Sequence, residues 1–241
     1  MSAEDRTVVV TGAGGGIGRA SALNLAEAGY RVVLADRDES GLRGTAAVLR
    51  SESLVASRVV DVTDRESVAQ LFGESAHLHG CVHCAGVVGT SPLESTDSRE
   101  WERILAVNLT GTFHVVAAAA QAVGDGGAIV TVSSMAAQPS SRFASPAYAA
   151  SKSGVVGLTR SLSTSLAGRG IRINSVAPGA IDTSMLLEFG ESQRDSLKGA
   201  NPMGRLGDPS EVAKVIEFLV SDASSFVTGQ VISANGGAFV G

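Results

Sequence analysis

The sequence predicts an α/β chain whose mainly parallel, doubly wound sheet carries helices on both faces. Three observations predict this class. Short β-branched runs alternate with amphipathic stretches along all 241 residues. A glycine cluster, Gly12–Gly18, separates the first run from the first amphipathic stretch. No linker, repeat or low-complexity segment divides the chain, so residues 1–241 read as one domain. Strand–helix alternation implies parallel neighbours, and right-handed crossovers make double winding the economical topology.

The elements follow in order. Thr7–Thr11 is a β-branched run and reads as the first strand. Ile17–Ala28 is amphipathic and stops at Gly29. Arg31–Asp36 is the second strand, Leu42–Ser51 a helix, Ser57–Val62 the third strand and Arg65–His77 a helix. Cys81–Ala85 is a strand ending at Gly86, and Asp97–Val123 holds one or two helices. Ala128–Ser133 is a strand after a Gly-Asp-Gly-Gly turn, and Pro146–Ala167 a long helix. Ile171–Ala177 is a strand stopped by Pro178-Gly179, Ser210–Val220 a helix and Gln230–Ala234 the last strand. Ser184–Arg205 lacks clear regular structure and mixes Met185, Leu186, Leu187 and Phe189 with charges. It reads as a moderately hydrophobic substrate loop, compatible with a secondary alcohol, a cyclic ketone or a steroid-like ring.

Hydrophobic residues make up 44% and charged residues 18%, which is globular rather than disordered. A net charge of -5 argues against nucleic acid and anionic membranes as partners. Met1–Thr7 is too charged for a secretory signal, and the most apolar stretch, Phe113–Val123, is short for a span. With only two cysteines no disulfide framework is expected, and a cytoplasmic location is the default expectation.

Glycines between a strand and a helix permit a sharp turn and close backbone approach. The N–H groups and positive end of the following helix then favour a pyrophosphate. Gly12, Gly14, Gly15, Gly16, Ile17 and Gly18 form this candidate site. Asp36 ends the second strand, where a carboxylate accepts hydrogen bonds from adenosine ribose hydroxyls. It would repel a 2′-phosphate, so the expected cofactor is NAD rather than NADP. Arg37 beside it is the one residue that could bind that phosphate instead.

Tyr148 and Lys152 are four apart in the helix that Ser145 can cap and Pro146 can start. A free phenol, with a pKa of about 10, is a poor base at neutral pH. A nearby ammonium, the helix N-terminus and an oxidised nicotinamide each favour the phenolate, which can then exchange a proton with a substrate hydroxyl. Ser133 and Ser134 end the preceding strand, where a hydroxyl can reach the substrate oxygen.

Thr-Gly-x-x-x-Gly-x-Gly, Asn108, Ser134 and Tyr148-x-x-x-Lys152 together resemble the short-chain dehydrogenase/reductase family. So do Pro178-Gly179, Asn201-Pro-Met-Gly-Arg-Leu-Gly and Thr228-Gly-Gln-Val, so the likeness spans nearly the whole chain. The resemblance implies a Rossmann fold with a seven-stranded, mainly parallel sheet of order 3-2-1-4-5-6-7. It implies that Tyr148 is the general acid/base and that Ser134 orients the substrate oxygen. Lys152 would lower the tyrosine's pKa and hold the nicotinamide ribose, and Asn108 would hold a water linked to Lys152. Asp61 and Val62 would lie near the adenine, with Cys84, Ala85 and Gly86 along the cofactor. Pro178, Gly179, Ile181 and Thr183 would meet the nicotinamide end. The implied chemistry is hydride transfer between a nicotinamide cofactor and a secondary alcohol or ketone, a small-molecule substrate, and the implied assembly a homotetramer built partly through the helices of Asn108 and Tyr148.

The sequence departs from the family pattern in three places. His83-Cys84 stands where Asn-Asn is usual, which puts in doubt the hydrogen bonds of an asparagine amide. The Ser134–Tyr148 spacing is one residue long, and Asn235 replaces a frequent aspartate. His77, His79, Cys81, His83 and Cys84 crowd together, but strand alternation sends Cys81 and Cys84 to opposite faces, so no metal site is expected. A serine hydrolase is disfavoured because no Gly-x-Ser-x-Gly elbow occurs. Two other readings stay open: a non-catalytic dinucleotide-binding scaffold, and a sugar-nucleotide epimerase or dehydratase, for which little C-terminal chain remains.

Overall fold

The computed structural model describes residues 6–74, 78–137 and 144–240. Seven strands form one sheet: β1 (Thr7–Thr11), β2 (Arg31–Asp36), β3 (Leu54–Val59), β4 (Leu78–His83), β5 (Val123–Val132), β6 (Arg172–Pro178) and β7 (Val231–Ala234). Their order is β3-β2-β1-β4-β5-β6-β7, and every adjacent pair is parallel. The expected order holds, and "mainly parallel" becomes wholly parallel.

Near-continuous apolar strands are what a sheet covered on both faces requires. Val8, Val10, Val32 and Leu34 point to one layer, where they meet Ala22 and Leu25 of α1 (Gly16–Glu27) and Val212 and Ile216 of α8 (Pro209–Val220). The alternate residues Val9, Val33, Cys81 and Ile129 point to the other layer. There they meet Val68 and Leu71 of α3 (Arg65–Gly73) and Val115 and Val116 of α5 (Gly111–Ala122).

Several boundaries differ from expectation. Helix α2 spans Glu39–Ala46, not Leu42–Ser51, because Asp38 caps it by accepting the Ser40 N–H at 3.0 Å. β3 starts at Leu54 and stops before Val60; as an edge strand it is largely exposed and lacks a strong apolar signal. β4 starts at Leu78 and ends at His83, and β5 begins at Val123, so the Gly-Asp-Gly-Gly stretch lies within the strand rather than before it. The expected end of α3 at His77 and most of the Ser134–Tyr148 loop lie outside the described residues.

Helix α4 (Ser98–Leu105) runs through a π turn (Ala106–Thr110) into α5. The continuous helix Ser98–Ala122 is long and apolar enough to cross a membrane by length and composition, which the shorter Phe113–Val123 stretch did not indicate. Within it Ile104, Val115, Val116 and Ala119 are fully buried against the rest of the protein, while Trp101 and Phe113 are exposed.

The loop expected at Ser184–Arg205 is partly helical. A 3-10 turn (Ser184–Glu188) precedes α7 (Glu191–Gly199), a polar helix with no buried residue and hence no core-facing apolar stripe to betray it. The base of this excursion is tied by a bridge between Ile181 and Gly207: Asp182 donates to the Gly207 carbonyl, and Gly207 to the Ala180 carbonyl, both at 2.9 Å.

Candidate active site

A cavity of about 540 Å³ runs along the carboxyl ends of the strands, from the glycine loop to Met185 and Leu197. That edge is where an open parallel sheet gathers its helix N-termini and its loops. Gly12 (φ +72°) turns the chain from β1 so tightly that a Cβ there would lie 2.6 Å from the Ala85 nitrogen. A Cβ on Gly18 would overlap the Gly12 carbonyl oxygen, so α1 can pack onto its own entry loop only without a side chain.

Gly15 is the N-cap of α1, with no side-chain cap and nothing within 4 Å of where its Cβ would stand. The first N–H groups of α1 therefore face the cavity without a protein partner of this kind, and the first turn carries no acid. Such a cradle fits the pyrophosphate of a dinucleotide.

The acids are fixed by backbone. Asp36 accepts the Gly14 N–H at 2.8 Å on one oxygen and the Asp38 N–H at 2.9 Å on the other. Asp61 accepts from the Thr63 N–H at 2.8 Å and its hydroxyl at 2.7 Å. Those bonds, with a smaller contribution from the Arg37 charge, hold its carboxyl below the usual carboxylate range. Exposed Arg37 thus stands on the cavity wall between two carboxylates.

At the other end Ser145 caps α6 (Pro146–Ala167) by accepting the Tyr148 N–H at 3.2 Å, as expected. Tyr148 and Lys152 share a face of that helix, with the Lys152 Nζ 5.8 Å from the ring centre. Ser134, just past β5, lines the cavity beside Tyr148, close enough for its hydroxyl to favour the phenolate. Lys152 is 5% exposed, and its Nζ donates to the Val132 carbonyl at 2.9 Å. Burial lowers its ammonium to about 8.

One expectation needs correction. Among the described groups nothing depresses the tyrosine below a free phenol: burial raises it, opposed by the nearby Ser134 hydroxyl. The Lys152 ammonium stands 5.8 Å from the ring centre and donates to the Val132 carbonyl.

Ser134, Tyr148 and Lys152 line the same cavity as Gly12, Gly15, Gly16, Ile17 and Gly18. So do Asp36, Arg37, Asp61, Val62, Cys84, Ala85 and Gly86, and beyond them Pro178, Gly179, Ile181 and Thr183. Gly14 and Asn108 do not. The Gly14 N–H is turned to Asp36. Asn108 is wholly buried in the π turn, behind the wall. Its amide clamps Val87 twice, accepting from the N–H and donating to the carbonyl, each at 2.8 Å, and it also donates to Ser151 at 3.1 Å. Asn108 therefore fixes the wall and the catalytic helix from behind.

Sequence reasoning missed the use made of His83. Its ring spans Thr11 Oγ1 (2.7 Å) and Thr112 Oγ1 (2.9 Å), and Thr112 donates to the Asn108 carbonyl at 2.6 Å. Because the Thr112 proton is spent on Asn108, the histidine Nε2–H must donate to Thr112 and its Nδ1 accept from Thr11. Full burial, with a smaller effect of the Lys152 charge, lowers the imidazole to about 3, so it is neutral. The departure from Asn-Asn was the available signal, and at this position the chain's bonds are those of the imidazole to Thr11 and Thr112. Cys81 packs in one layer and Cys84 against the other, so the two thiols do not converge. Burial pushes the Cys84 thiol up to about 12.

Residues 12–238 match the family model described as enoyl-(acyl carrier protein) reductase. The chain is 36% identical, over the full length of both, to a 3-oxoacyl-(acyl-carrier-protein) reductase of Thermotoga maritima. It is 39% identical to the cis-4-hydroxycyclohexanecarboxylate dehydrogenase of Sinomonas cyclohexanicum, over 97% of this chain and 96% of that one. A solved short-chain dehydrogenase/reductase of Brucella melitensis, of the glucose/ribitol dehydrogenase type, superposes with a TM-score of 0.92 at 36% identity, covering 100% of this chain and 99% of its own. With that likeness across every strand of the sheet and both ends of the cavity, the chain belongs to the short-chain dehydrogenase/reductase family and is an oxidoreductase of hydroxyl and keto groups.

Proposed function

We propose that this enzyme interconverts a secondary alcohol and a ketone with Tyr148 as the proton-transfer residue and NAD as the preferred cofactor. The observation that carries the reading is the meeting of Ser134, Tyr148 and Lys152 in the cavity that the uncapped start of α1 also faces. A nicotinamide cofactor bound along this wall supplies or accepts the hydride. In the reducing direction the Tyr148 hydroxyl donates its proton to the carbonyl oxygen as negative charge develops there, and Ser134 hydrogen-bonds the same oxygen. The half-buried phenol, held above its ordinary range by desolvation, is suited to that donor role at neutral pH. Oxidation needs the phenolate and so gains rate as pH rises. Lys152 places a positive charge beside the ring, while Asn108 holds Val87 and Ser151 in register.

The preference for NAD is supported by Asp36 and Asp61, two fixed carboxylates against one exposed arginine at the adenosine end. A 2′-phosphate there meets net negative charge.

Two substitutions test the reading. Tyr148→Phe is expected to lower kcat by at least about a hundredfold, within the range for loss of a general acid, while cofactor affinity is kept. Turnover at the unmodified rate would remove Tyr148 from its role. Asp36→Ala is expected to narrow the ratio of NADH to NADPH affinity by about tenfold, one charge contact's worth. Tighter NADPH binding by the unmodified protein would overturn the NAD assignment.

A further inference from the structure

The charges of the cavity are unevenly placed. Asp36, Arg37 and Asp61 stand at the ends of β2 and β3, on the adenosine side. Lys152 is the remaining charged residue of the described wall, and it donates to the Val132 carbonyl. After β4 and β5 and in the excursion after β6, the described wall is formed chiefly by Val88, Met135, Met185, Leu186, Phe189 and Leu197. Leu197 lines the cavity from α7, whose other residues include Glu191, Arg194, Asp195 and Lys198, all off the described wall.

The hydroxyls of this half are mostly committed. Ser133 donates to the Val176 carbonyl at 3.1 Å. Ser134 and Tyr148 stand together at the reacting oxygen's place and serve it. The Thr183 methyl faces Gly16, 3.3 Å from where a Cβ would stand, on the cofactor side. Among the described lining residues that leaves Ser184, which is exposed at the rim. A hydroxyl or carboxylate brought into this half beyond the reacting oxygen would lose water and gain no partner from the described lining side chains other than Ser184 at the rim.

We propose that the substrate of this enzyme is a neutral, predominantly hydrocarbon secondary alcohol or ketone, held by Met185, Phe189 and Leu197, and that polyols and substrates with a carboxylate beside the reacting ring or chain are selected against. This rests on the hydride-transfer reading above and names the substrate class for the same site. Met185 and Leu197 are specificity residues that touch the substrate's carbon skeleton on the side away from Ser134 and Tyr148.

The test is steady-state kcat/KM with NAD+ for three neutral alcohols, butan-2-ol, cyclohexanol and octan-2-ol, against 4-hydroxycyclohexanecarboxylate and galactitol. Leu197→Arg and Met185→Lys are run beside the unmodified protein, with NADH binding as the check on folding. The best neutral alcohol is expected to exceed both polar compounds by at least about tenfold, and up to about a hundredfold, the range over which an apolar pocket rejects an added polar group. Each variant is expected to move the ratio of carboxylate to cyclohexanol turnover at least about tenfold towards the carboxylate. A carboxylate or polyol that matches or beats the neutral alcohols overturns this inference and leaves hydride transfer standing. No turnover of any of the five by protein that binds NADH overturns both. A neutral preference that neither folded variant shifts overturns the assignment to Met185 and Leu197. Where a variant fails to bind NADH, the ratio in the unmodified protein decides.

Discussion

Replacing Lys152 by methionine should make the protein more stable and inactive. The residue is 5% exposed, and among the described residues its amine has one hydrogen bond, to the Val132 carbonyl. Burial lowers its pKa from 10.5 to about 8, a difference of roughly 3 kcal/mol between folded and unfolded chains at full protonation. The sign follows from proton counting. Between about 8 and 10.5 the unfolded chain holds more protons than the folded one, so stability drops as pH falls through that window and stays low beneath it. Methionine nearly keeps the stem's volume and removes the charge. It forfeits the bond to Val132, about 1 kcal/mol. The expected net gain at pH 7 is thus about 2 kcal/mol, or about 4–8 °C in Tm for a domain of this size. Thermal unfolding of cofactor-free protein, followed by far-ultraviolet circular dichroism at pH 7 and pH 10, measures it, with turnover assayed in parallel. The gain should shrink steeply at pH 10. A methionine variant no more stable than the parent at pH 7, or a gain that survives unchanged at pH 10, would refute the argument.

Two further predictions concern the scaffold. His83→Leu leaves the buried Thr11 hydroxyl without its partner and removes the Thr112 contact, an expected loss of about 3 kcal/mol and about 6–12 °C in Tm at pH 7. Because the folded imidazole stays neutral down to about 3, the unfolded parent gains protons as pH falls below its ordinary 6.5. The gap between parent and variant should therefore narrow by about 1.4 kcal/mol per pH unit in that range. Melts at pH 7 and pH 5 decide, and a constant gap would contradict the neutral histidine. Gly18→Ala drives a methyl into the Gly12 carbonyl and should cost about 1–3 kcal/mol while weakening NADH binding, since α1 must retreat from the loop. Fluorescence titration with NADH reads this directly, and parental affinity would show that the helix start is not part of the binding surface.

What the sequence disclosed was whatever depends on neighbours along the chain. Tyr148 and Lys152 meet because helical spacing puts them on one face, and Ser145 and Pro146 mark where that helix starts. The turn at Gly12 and the close packing at Gly18 were equally local, as was the alternation that separates Cys81 from Cys84. Long-range choices stayed hidden. Nothing near Asn108 says that its amide will clamp Val87, 21 residues earlier, rather than face the cavity. Nothing near His83 names Thr11 and Thr112 as its partners. Helix α7 was missed for a different reason: with no buried residue it shows no core-facing apolar stripe, and its one residue on the cavity wall, Leu197, makes no pattern alone. The phenol's direction was misjudged because burial, which spacing cannot report, raises it, and the opposing influence comes from Ser134.

The stitch between Ile181 and Gly207 closes the excursion after β6 at its neck. Most of the apolar wall, including Met185, Leu186, Phe189 and Leu197, belongs to that one contiguous stretch, whereas the nucleotide cradle is assembled from β1 to β4. The stretch therefore behaves as a cassette. Exchanging it for another whose ends make the same pair of backbone bonds would rewrite what the enzyme accepts, while strand register, helix α1 and the proton-transfer group stay as they are.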